Sequence, residues 1–312
     1  MAGEQNGGVA GDSPAAGPVV GFVGLGNMGR PMADRVVAAG FELVGYDRAG
    51  SAERCPEGAR PASDLGDVAA AAELVLVSVP DGAASLAVAT GLAALPADQR
   101  RVAAVVDLST IGPEAAAQAA AVLGAAGIAY ADGPVSGGTS GARAGTVSLM
   151  FSGPADVANR YRPVLAAISS NVFPVGDRPG QGQAMKLVNN VLSATALAAA
   201  AEALAFGRSQ GLDLALMLDV LNVSSGRSSA TDDKFPNRVV TGTYDAGFTT
   251  TLMAKDVSLL AAEAARAGTR RELIEAVVAR WRAVDDDLAG VDFTRIWPWT
   301  LGIPEFEEPG PH

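Results

Sequence analysis

Residues 19–40 read VVGFVGLGNMGRPMADRVVAAG, and this stretch decides the fold. The first five residues are typical of a buried strand, and glycines follow at positions 24, 26 and 29 in a G-x-G-x-x-G pattern. The residues after Gly29 have the spacing of a helix, which tolerates Pro31 because proline fits the first turn. A strand, a glycine turn and a helix in this order indicate a helix amino end that holds a pyrophosphate.

Each glycine would serve a separate purpose in such a loop. Gly24 permits the tight turn, Gly26 lets a pyrophosphate approach the backbone, and Gly29 lets the helix pack closely on the strand. We therefore predict a dinucleotide cofactor bound mainly by this loop, whose residues are Gly24, Leu25, Gly26, Asn27, Met28 and Gly29.

The next apolar run, ELVGYD, ends at Asp47, about where dinucleotide-binding domains carry an acidic residue. A carboxylate there accepts hydrogen bonds from a ribose 2′-hydroxyl and repels a 2′-phosphate, which predicts NAD. Arg48 leaves NADP open, because a guanidinium beside the ribose could bind that phosphate.

The composition bounds the function. The chain has 312 residues, of which 49% are hydrophobic and 18% charged, so it can bury the cores of two domains. A net charge of -11 argues against a nucleic-acid surface. With one cysteine, Cys55, and one histidine, His312, the chain cannot form an internal disulfide, a Cys-rich metal site or a His dyad, and we predict no metal. Proton transfer would then fall to Lys, Asp, Glu, Tyr or Cys.

The amino-terminal residues 1–17 lack the basic and apolar regions of a secretory signal and the arginines of a mitochondrial transit peptide. The Ala-rich run 194–206 is interrupted by Glu202 and is predicted to be a buried helix, too short to span a membrane. We therefore predict a cytoplasmic protein with no membrane partner.

Short β-type runs alternate with helical stretches in the first half of the chain, and long helices follow. The predicted strands lie at 19–23, 42–47, 74–79, 102–107, 128–132 and 147–152. The predicted later helices lie at 182–207, 212–223, 253–267 and 270–288. This alternation predicts an α/β fold with a mostly parallel sheet covered on both faces. We predict a tail (1–17), a Rossmann-type doubly wound domain (18–180), an all-helical domain that begins with a long interdomain helix (181–302) and an acidic tail (303–312).

Five further short motifs follow the glycine loop in order: SVP (78–80), DLSTIGP (107–113), DGPVSGGTSGARAGT (132–146), GQGQAMKLVNN (180–190) and GFTTTLMAKD (247–256). Together with GFVGLGNMGRPMA they resemble the β-hydroxyacid dehydrogenase family, and most closely 3-hydroxyisobutyrate dehydrogenases. The resemblance covers residues 18 to about 260.

The resemblance implies an NAD(P)-dependent oxidoreductase that acts on a small carboxylate substrate in a cleft between the two domains. It implies cofactor contacts from Val79, Pro80, Thr110 and Lys255, with Lys255 near the nicotinamide. It implies that Ser136, Gly137 and Gly138 hold the substrate carboxylate, that Lys186 is catalytic and that Asn190 orients the substrate.

The residue types suit these roles. Lys186 and Asn190 are four residues apart, so on a helix they project from one face, with Asn189 on a flank. The positive end of the helix dipole and partial burial should lower the pKa of Lys186 below its usual value of about 10.4, towards proton exchange near neutral pH. Gly137 and Gly138 leave their backbone N–H groups open to a carboxylate, and Ser136 adds a hydroxyl donor. Asp256, beside Lys255, is predicted only to support the start of a helix.

Several alternatives stay open. The same architecture serves tartronate semialdehyde reductases and imine reductases, and a non-catalytic dinucleotide-binding scaffold is an alternative of another class. The chain is too short for the large helical domain of a 6-phosphogluconate dehydrogenase, and it lacks the histidine expected near the lysine. The ending around Trp297 and Trp299 does not match the family, and those rings could cap the helical domain, shape the pocket or meet a second subunit. The Ala- and Leu-rich helix 182–207 predicts a homodimer or homotetramer.

Overall fold

Nine strands form one sheet within residues 17–303, the part of the chain that the computed structural model describes. They are β1 (Val20–Val23), β2 (Leu43–Tyr46), β3 (Arg60–Pro61), β4 (Leu74–Val77), β5 (Ala104–Asp107), β6 (Ala129–Asp132), β7 (Val135–Ser136), β8 (Ser148–Ser152) and β9 (Asn171–Gly176). Their spatial order is β3-β2-β1-β4-β5-β6-β8-β7, with β9 beside β8.

The first six strands run parallel, in the order 3-2-1-4-5-6. This is the doubly wound arrangement of dinucleotide-binding domains, in which the chain changes direction between β1 and β4. A crevice forms at the carboxyl ends of the strands at that point, and ligands bind there. β7 and β8 extend the sheet with antiparallel pairings.

Both faces of the sheet are covered, which explains why its strands are continuously apolar. Leu74 and Leu76 of β4 belong to one apolar cluster, whereas Val75 and Val77 belong to the cluster on the other face. The covering helices are α1 (Gly29–Ala38), α2 (Ser51–Arg54), α3 (Leu65–Ala71), α4 (Gly82–Ala93), α5 (Pro113–Ala125), α6 (Gly138–Ala144), α7 (Ala155–Arg160) and α8 (Arg162–Ile168).

The rest of the described chain is helical. Its elements are α9 (Gln181–Ser209), α10 (Leu214–Asn222), a π-helical segment (Ala230–Val239), α11 (Thr250–Arg266), α12 (Glu272–Leu288), a 3₁₀ turn (Phe293–Arg295) and α13 (Ile296–Thr300). Their shared core includes Trp281, whose indole N–H donates to the carbonyl of Ala194 at 3.2 Å. Trp297 is buried against Phe235 in an edge-to-face contact at 5.3 Å, so this tryptophan caps the helical core.

The helix α9 has 29 residues and is longer than the predicted helix 182–207. The prediction that this region is too short to span a membrane is therefore wrong, because the Ala-rich run 194–206 is only part of a longer helix. By length and composition alone, it is the one helix in residues 17–303 that could cross a bilayer. Core helices of globular proteins satisfy the same criterion, and 44% of its most apolar window is buried within this fold. Packing against α11 and α12 accounts for much of its apolar composition.

The predicted fold class is confirmed: a Rossmann-type sheet is followed by a helical region. All six predicted strands form, each one or two residues shorter than its apolar run. Three strands were not predicted, namely β3, β7 and β9. The boundary at 180/181 stays a prediction. The predicted tails 1–17 and 303–312, with His312, lie outside the described residues except for Gly17 and Ile303.

Candidate functional site

The glycine loop between β1 and α1 fits a dinucleotide. Gly24 has φ +90°, and a side chain on it would overlap the carbonyl oxygen of Ser78. A side chain on Gly29 would overlap the carbonyl oxygen of Gly24. No atom lies within 4 Å of where a Cβ on Gly26 would stand, so packing does not require glycine there. A ligand that approaches the backbone does require it.

The amino end of α1 is open to an anion. Met28, its N-cap residue, makes no capping hydrogen bond through its side chain, and the first turn carries no acidic residue. Within the described chain, the N–H groups of Asn27 and Met28 donate to no other group. Free N–H groups at a helix amino end bind phosphate, so the loop is suited to a pyrophosphate.

Asp47 follows β2 directly and is tied to this loop. One carboxylate oxygen accepts the N–H of Leu25 at 2.8 Å, and the other accepts the N–H of Ala49 at 2.8 Å. An Arg54 nitrogen lies 3.8 Å from the carboxylate. A carboxylate has about four acceptor positions, so Asp47 can still accept from a ribose hydroxyl. Arg48 is exposed, and among the described residues its side chain makes no hydrogen bond or ion pair with the loop.

The backbone at the carboxyl ends of β4 and β5 meets a lysine from the helical region. The ammonium of Lys255 on α11 donates to the carbonyl of Thr110 at 2.7 Å and of Pro80 at 3.1 Å. The N–H of Val79 donates to the hydroxyl of Ser109 at 2.9 Å. The predicted cofactor-lining residues Val79, Pro80 and Thr110 therefore lie together beside Lys255, close to Gly24.

Lys186 and Asn190 lie on the buried face of α9, each 6% exposed. Asn190 donates from its amide to one oxygen of Asp256 at 2.6 Å. Lys255 lies 3.2 Å from the other oxygen, an ion-pair contact without hydrogen-bond alignment. Lys186 feels the charges of both Asp256 and Lys255, so the structure brings together the predicted residues Lys186, Asn190 and Lys255 near Asp256.

The pKa of Lys186 is lowered from 10.5 to about 8. Desolvation is the largest cause, the charge of Lys255 adds to it, and the charge of Asp256 opposes it. The prediction that the positive end of the helix dipole lowers the pKa of Lys186 is wrong, because Lys186 does not lie in the first turn. The helix begins at Gln181, so Lys186 lies beyond the first turn, where the dipole effect has faded.

Ser136 ends β7, Gly137 is the N-cap residue of α6, and Gly138 is the first residue of that helix. The φ angles of Gly137 and Gly138 are +138° and +64°, a backbone conformation that favours glycine. The amide of Asn189 donates to the hydroxyl of Ser136 at 3.3 Å, which connects this corner to α9 near Lys186. The two glycines therefore follow a strand end at the same edge of the sheet as the lysine cluster.

Asp256 is the functional candidate that the sequence analysis underestimated. The start of α11 is capped by Thr249, whose hydroxyl accepts the N–H of Leu252 at 3.2 Å. Asp256 lies in the second turn and is 2% exposed, so it does not support the helix start. The available signal was a carboxylate on the apolar face of an amphipathic helix, which needs a buried partner.

Beside the glycine loop, a cavity of about 320 Å³ opens between the sheet edge and the helical region. It is lined by Asn27, Thr139, Arg143, Gly247, Phe248, Thr249 and Asp292. In residues 17–303, no group of three or more His, Cys, Asp or Glu side chains could hold a metal ion.

Comparisons with known proteins agree with this geometry. A family described as the NAD binding domain of 6-phosphogluconate dehydrogenase matches residues 19–176. A second, described as NAD-binding of NADP-dependent 3-hydroxyisobutyrate dehydrogenase, matches residues 180–299.

Individual proteins extend the likeness over most of the chain. The 2-(hydroxymethyl)glutarate dehydrogenase of Eubacterium barkeri is 36% identical over 251 residues, 80% of this chain and 83% of that one. The 3-hydroxyisobutyrate dehydrogenase of Pseudomonas aeruginosa is 37% identical over 253 residues, 78% of this chain and 85% of that one. A structure of Mycobacterium tuberculosis 3-hydroxyisobutyrate dehydrogenase with L-serine superposes with a TM-score of 0.83 at 29% identity, covering 90% of this chain and 98% of that one. The chain therefore belongs to the β-hydroxyacid dehydrogenase family of NAD(P)-dependent oxidoreductases that act on CH–OH groups.

Proposed function

We propose that this enzyme interconverts a short β-hydroxyacid, of the 3-hydroxyisobutyrate type, and its aldehyde, with Lys186 as the general acid and base. One observation carries the proposal. A buried amine, whose pKa is lowered to about 8, lies on the same helix face as Asn190 and feels the charge of Lys255, which is bonded to the backbone predicted to line the cofactor. Such an amine exchanges a proton readily near neutral pH.

In oxidation, neutral Lys186 takes the proton from the substrate hydroxyl, and in reduction its ammonium returns that proton to the developing alkoxide. A bound nicotinamide would supply the hydride chemistry at the carbinol carbon, and Lys186 handles only the proton. Burial keeps water away from the amine, so the proton passes between lysine and substrate.

The other residues orient the substrate. Ser136, Gly137 and Gly138 would bind its carboxylate through the serine hydroxyl and backbone N–H groups. Asn190, held by Asp256, would direct its amide at the reacting oxygen. Fixing both ends of a small substrate is worth several powers of ten in rate.

The cofactor would lie along the crevice, with its pyrophosphate on the loop Gly24–Gly29 and its nicotinamide beside Val79, Pro80, Thr110 and Lys255. Asp47 would accept from the adenosine ribose, which favours NAD over NADP. Arg48 is free to turn towards a 2′-phosphate, so NADP is the second cofactor to test.

The substrate panel follows from the residues and the relatives. It comprises 3-hydroxyisobutyrate first, then L-serine and 2-(hydroxymethyl)glutarate, with tartronate semialdehyde for the reductive direction. The lysine at position 186 favours a hydroxyacid over an imine, and it also favours an enzyme over a binding scaffold.

The test is Lys186→Ala assayed with this panel at pH 8 to 9, following absorbance of the reduced nicotinamide. Turnover should fall by at least 1,000-fold while the Kd for NAD stays within threefold, because Lys186 lies outside the glycine loop. Near-normal turnover in the variant would remove Lys186 from the mechanism. If the intact enzyme turns over no hydroxyacid, the scaffold alternative gains support.

We also propose a cytoplasmic homo-oligomer built on α9. Met185, Val188, Leu192 and Phe206 form an exposed apolar stripe along this helix, with Leu192 65% and Phe206 69% exposed. A second copy would cover it. Leu192→Glu should reduce the mass of the assembly measured by analytical ultracentrifugation, and an unchanged mass would place the interface elsewhere.

A further inference from the structure

Gln183 is a completely buried amide three residues before Lys186, on the same face of α9. Its side-chain oxygen accepts the N–H groups of Ile111 at 2.9 Å and Gly112 at 3.2 Å. Its side-chain nitrogen donates to the carbonyl of Ser109 at 2.9 Å. A buried amide is costly unless its hydrogen bonds are made, and this one joins α9 to a single loop of the sheet edge.

That loop, residues 109–112, also carries the predicted cofactor contacts. Thr110, in its middle, accepts from Lys255 at 2.7 Å, and the Ser109 hydroxyl accepts the N–H of Val79 at 2.9 Å. Gln183 is therefore bonded to the same backbone that would line the nicotinamide.

The first turn of α9 is fixed from a second side by Asp132, at the end of β6. The two Asp132 carboxylate oxygens accept the N–H groups of Gly180 at 2.7 Å and of Gln183 at 2.8 Å. A side chain on Gly182 would come within 2.6 Å of Asp132, so the turn is pressed against the strand end. The position of this turn is thus set by two strand ends, and Lys186 follows one turn later.

We propose that Gln183 is a positioning residue: its bonds to residues 109–112 hold the amine of Lys186 at a fixed distance from the nicotinamide site and closed to water. The inference rests on the proposed role of Lys186. The charged groups that face Lys186 are Asp256 and Lys255 of α11, and those near Gln183 are Asp132 and Asp107. None of them is altered by an uncharged substitution of Gln183, so a change in the ionisation of Lys186 reports its position and hydration.

The experiment uses Gln183→Met, which keeps the volume but leaves three backbone groups without their partner. The chain has only three lysines, at positions 186, 234 and 255, so carbon-13 labelling of lysine Cε gives three NMR signals. Lys234→Arg and Lys255→Arg assign them. This titration of the cofactor-free enzyme requires no turnover.

In Gln183→Met the titration midpoint of Lys186 should rise by at least one pH unit from about 8 towards 10.5, because water reaches the amine. The kcat should fall about 10- to 100-fold, since displacement of a reacting group by about 1 Å costs about that much. The KM for NAD should change less than threefold.

Leu204→Ala is the matched control, because Leu204 is a buried residue of the same helix far from the sheet edge. It should destabilise the protein without moving the Lys186 midpoint. If Gln183→Met does not fold, Gln183→Asn, one methylene too short to reach the loop, is judged by the same midpoint and kcat.

A folded Gln183 variant with the intact enzyme's midpoint and kcat would overturn the positioning role even where Lys186→Ala abolishes turnover. If instead the intact enzyme oxidises no hydroxyacid, the proposed function fails, and the midpoint alone still decides whether Gln183 controls Lys186.

Discussion

Replacing Lys186 by methionine should stabilise the folded protein while abolishing turnover. Methionine has a similar length and no charge, so it fills the same buried space without an ammonium. In the native chain, burial holds the pKa of Lys186 at about 8, against 10.5 in water. That difference of about 2.5 units corresponds to about 3 kcal/mol of folding free energy lost at neutral pH.

The pH dependence follows from the direction of this shift. Between pH 8 and 10.5 the unfolded chain binds a proton that the folded chain has released, so stability rises with pH through this window. Below pH 8 the destabilisation is complete. The advantage of Lys186→Met should therefore be about 3 kcal/mol at pH 7 and about 1 kcal/mol at pH 10.

The assay is guanidinium unfolding of the cofactor-free protein at both pH values, at one fixed protomer concentration. Lys234→Met is the control, because Lys234 forms a partly exposed ion pair with Asp233, whose loss costs less than about 1 kcal/mol. Equal stability of the native protein and Lys186→Met at pH 7, or an advantage that persists unchanged at pH 10, would refute the reasoning.

Three further predictions concern turnover and the cofactor. The kcat/KM for oxidation should rise with pH to a plateau above about 8, and that for reduction should fall over the same range, because neutral Lys186 accepts the proton and its ammonium donates it; flat profiles in both directions would contradict this. Asp47→Ser should raise kcat/KM with NADP about tenfold and lower it with NAD, since the carboxylate that repels a 2′-phosphate is gone; an unchanged ratio would place the ribose elsewhere. Gly26→Ala should change the unfolding free energy by no more than about 1 kcal/mol, because no atom lies within 4 Å of the added Cβ, but it should weaken NAD binding measured by calorimetry at least tenfold. Gly124→Ala is the control: its added Cβ is equally unhindered, but it lies inside α5, so NAD binding should be unchanged.

The strands that could be predicted from the sequence are those buried on both faces. Apolar runs such as LVLVSV identify β4 because both of its faces lie in a core. The missed strands lack that signal: β3 is two exposed residues ending in proline, and the first four residues of β9 are exposed. Such strands form because a neighbouring edge offers free backbone groups, and a local sequence pattern does not encode that neighbour.

For the site, the sequence was informative where one short segment supplies several groups. The four-residue spacing of Lys186 and Asn190 and the glycine loop are of this kind. Asp256 was not predicted as a site residue because its partner Asn190 is 66 residues away. Gln183 was not predicted because its partner loop is more than 70 residues away. Both are buried polar residues on helices, Asp256 among apolar neighbours and Gln183 beside Lys186 and Asn190, and a buried polar group is the local sign that a distant partner exists.

The choice of basic residue gives an independent argument for the lysine cluster. Of 23 basic residues, 20 are arginines and three are lysines. Arginine cannot lose its proton in proteins, whereas a buried lysine can, so a position that must exchange a proton requires lysine. Two of the three lysines belong to one cluster, in which the charge of Asp256 raises the pKa of Lys186 and the charge of Lys255 lowers it. The opposing charges and burial together bring the pKa of Lys186 to about 8, so the amine is partly neutral near that pH. An arginine at position 186 would stay fully protonated there.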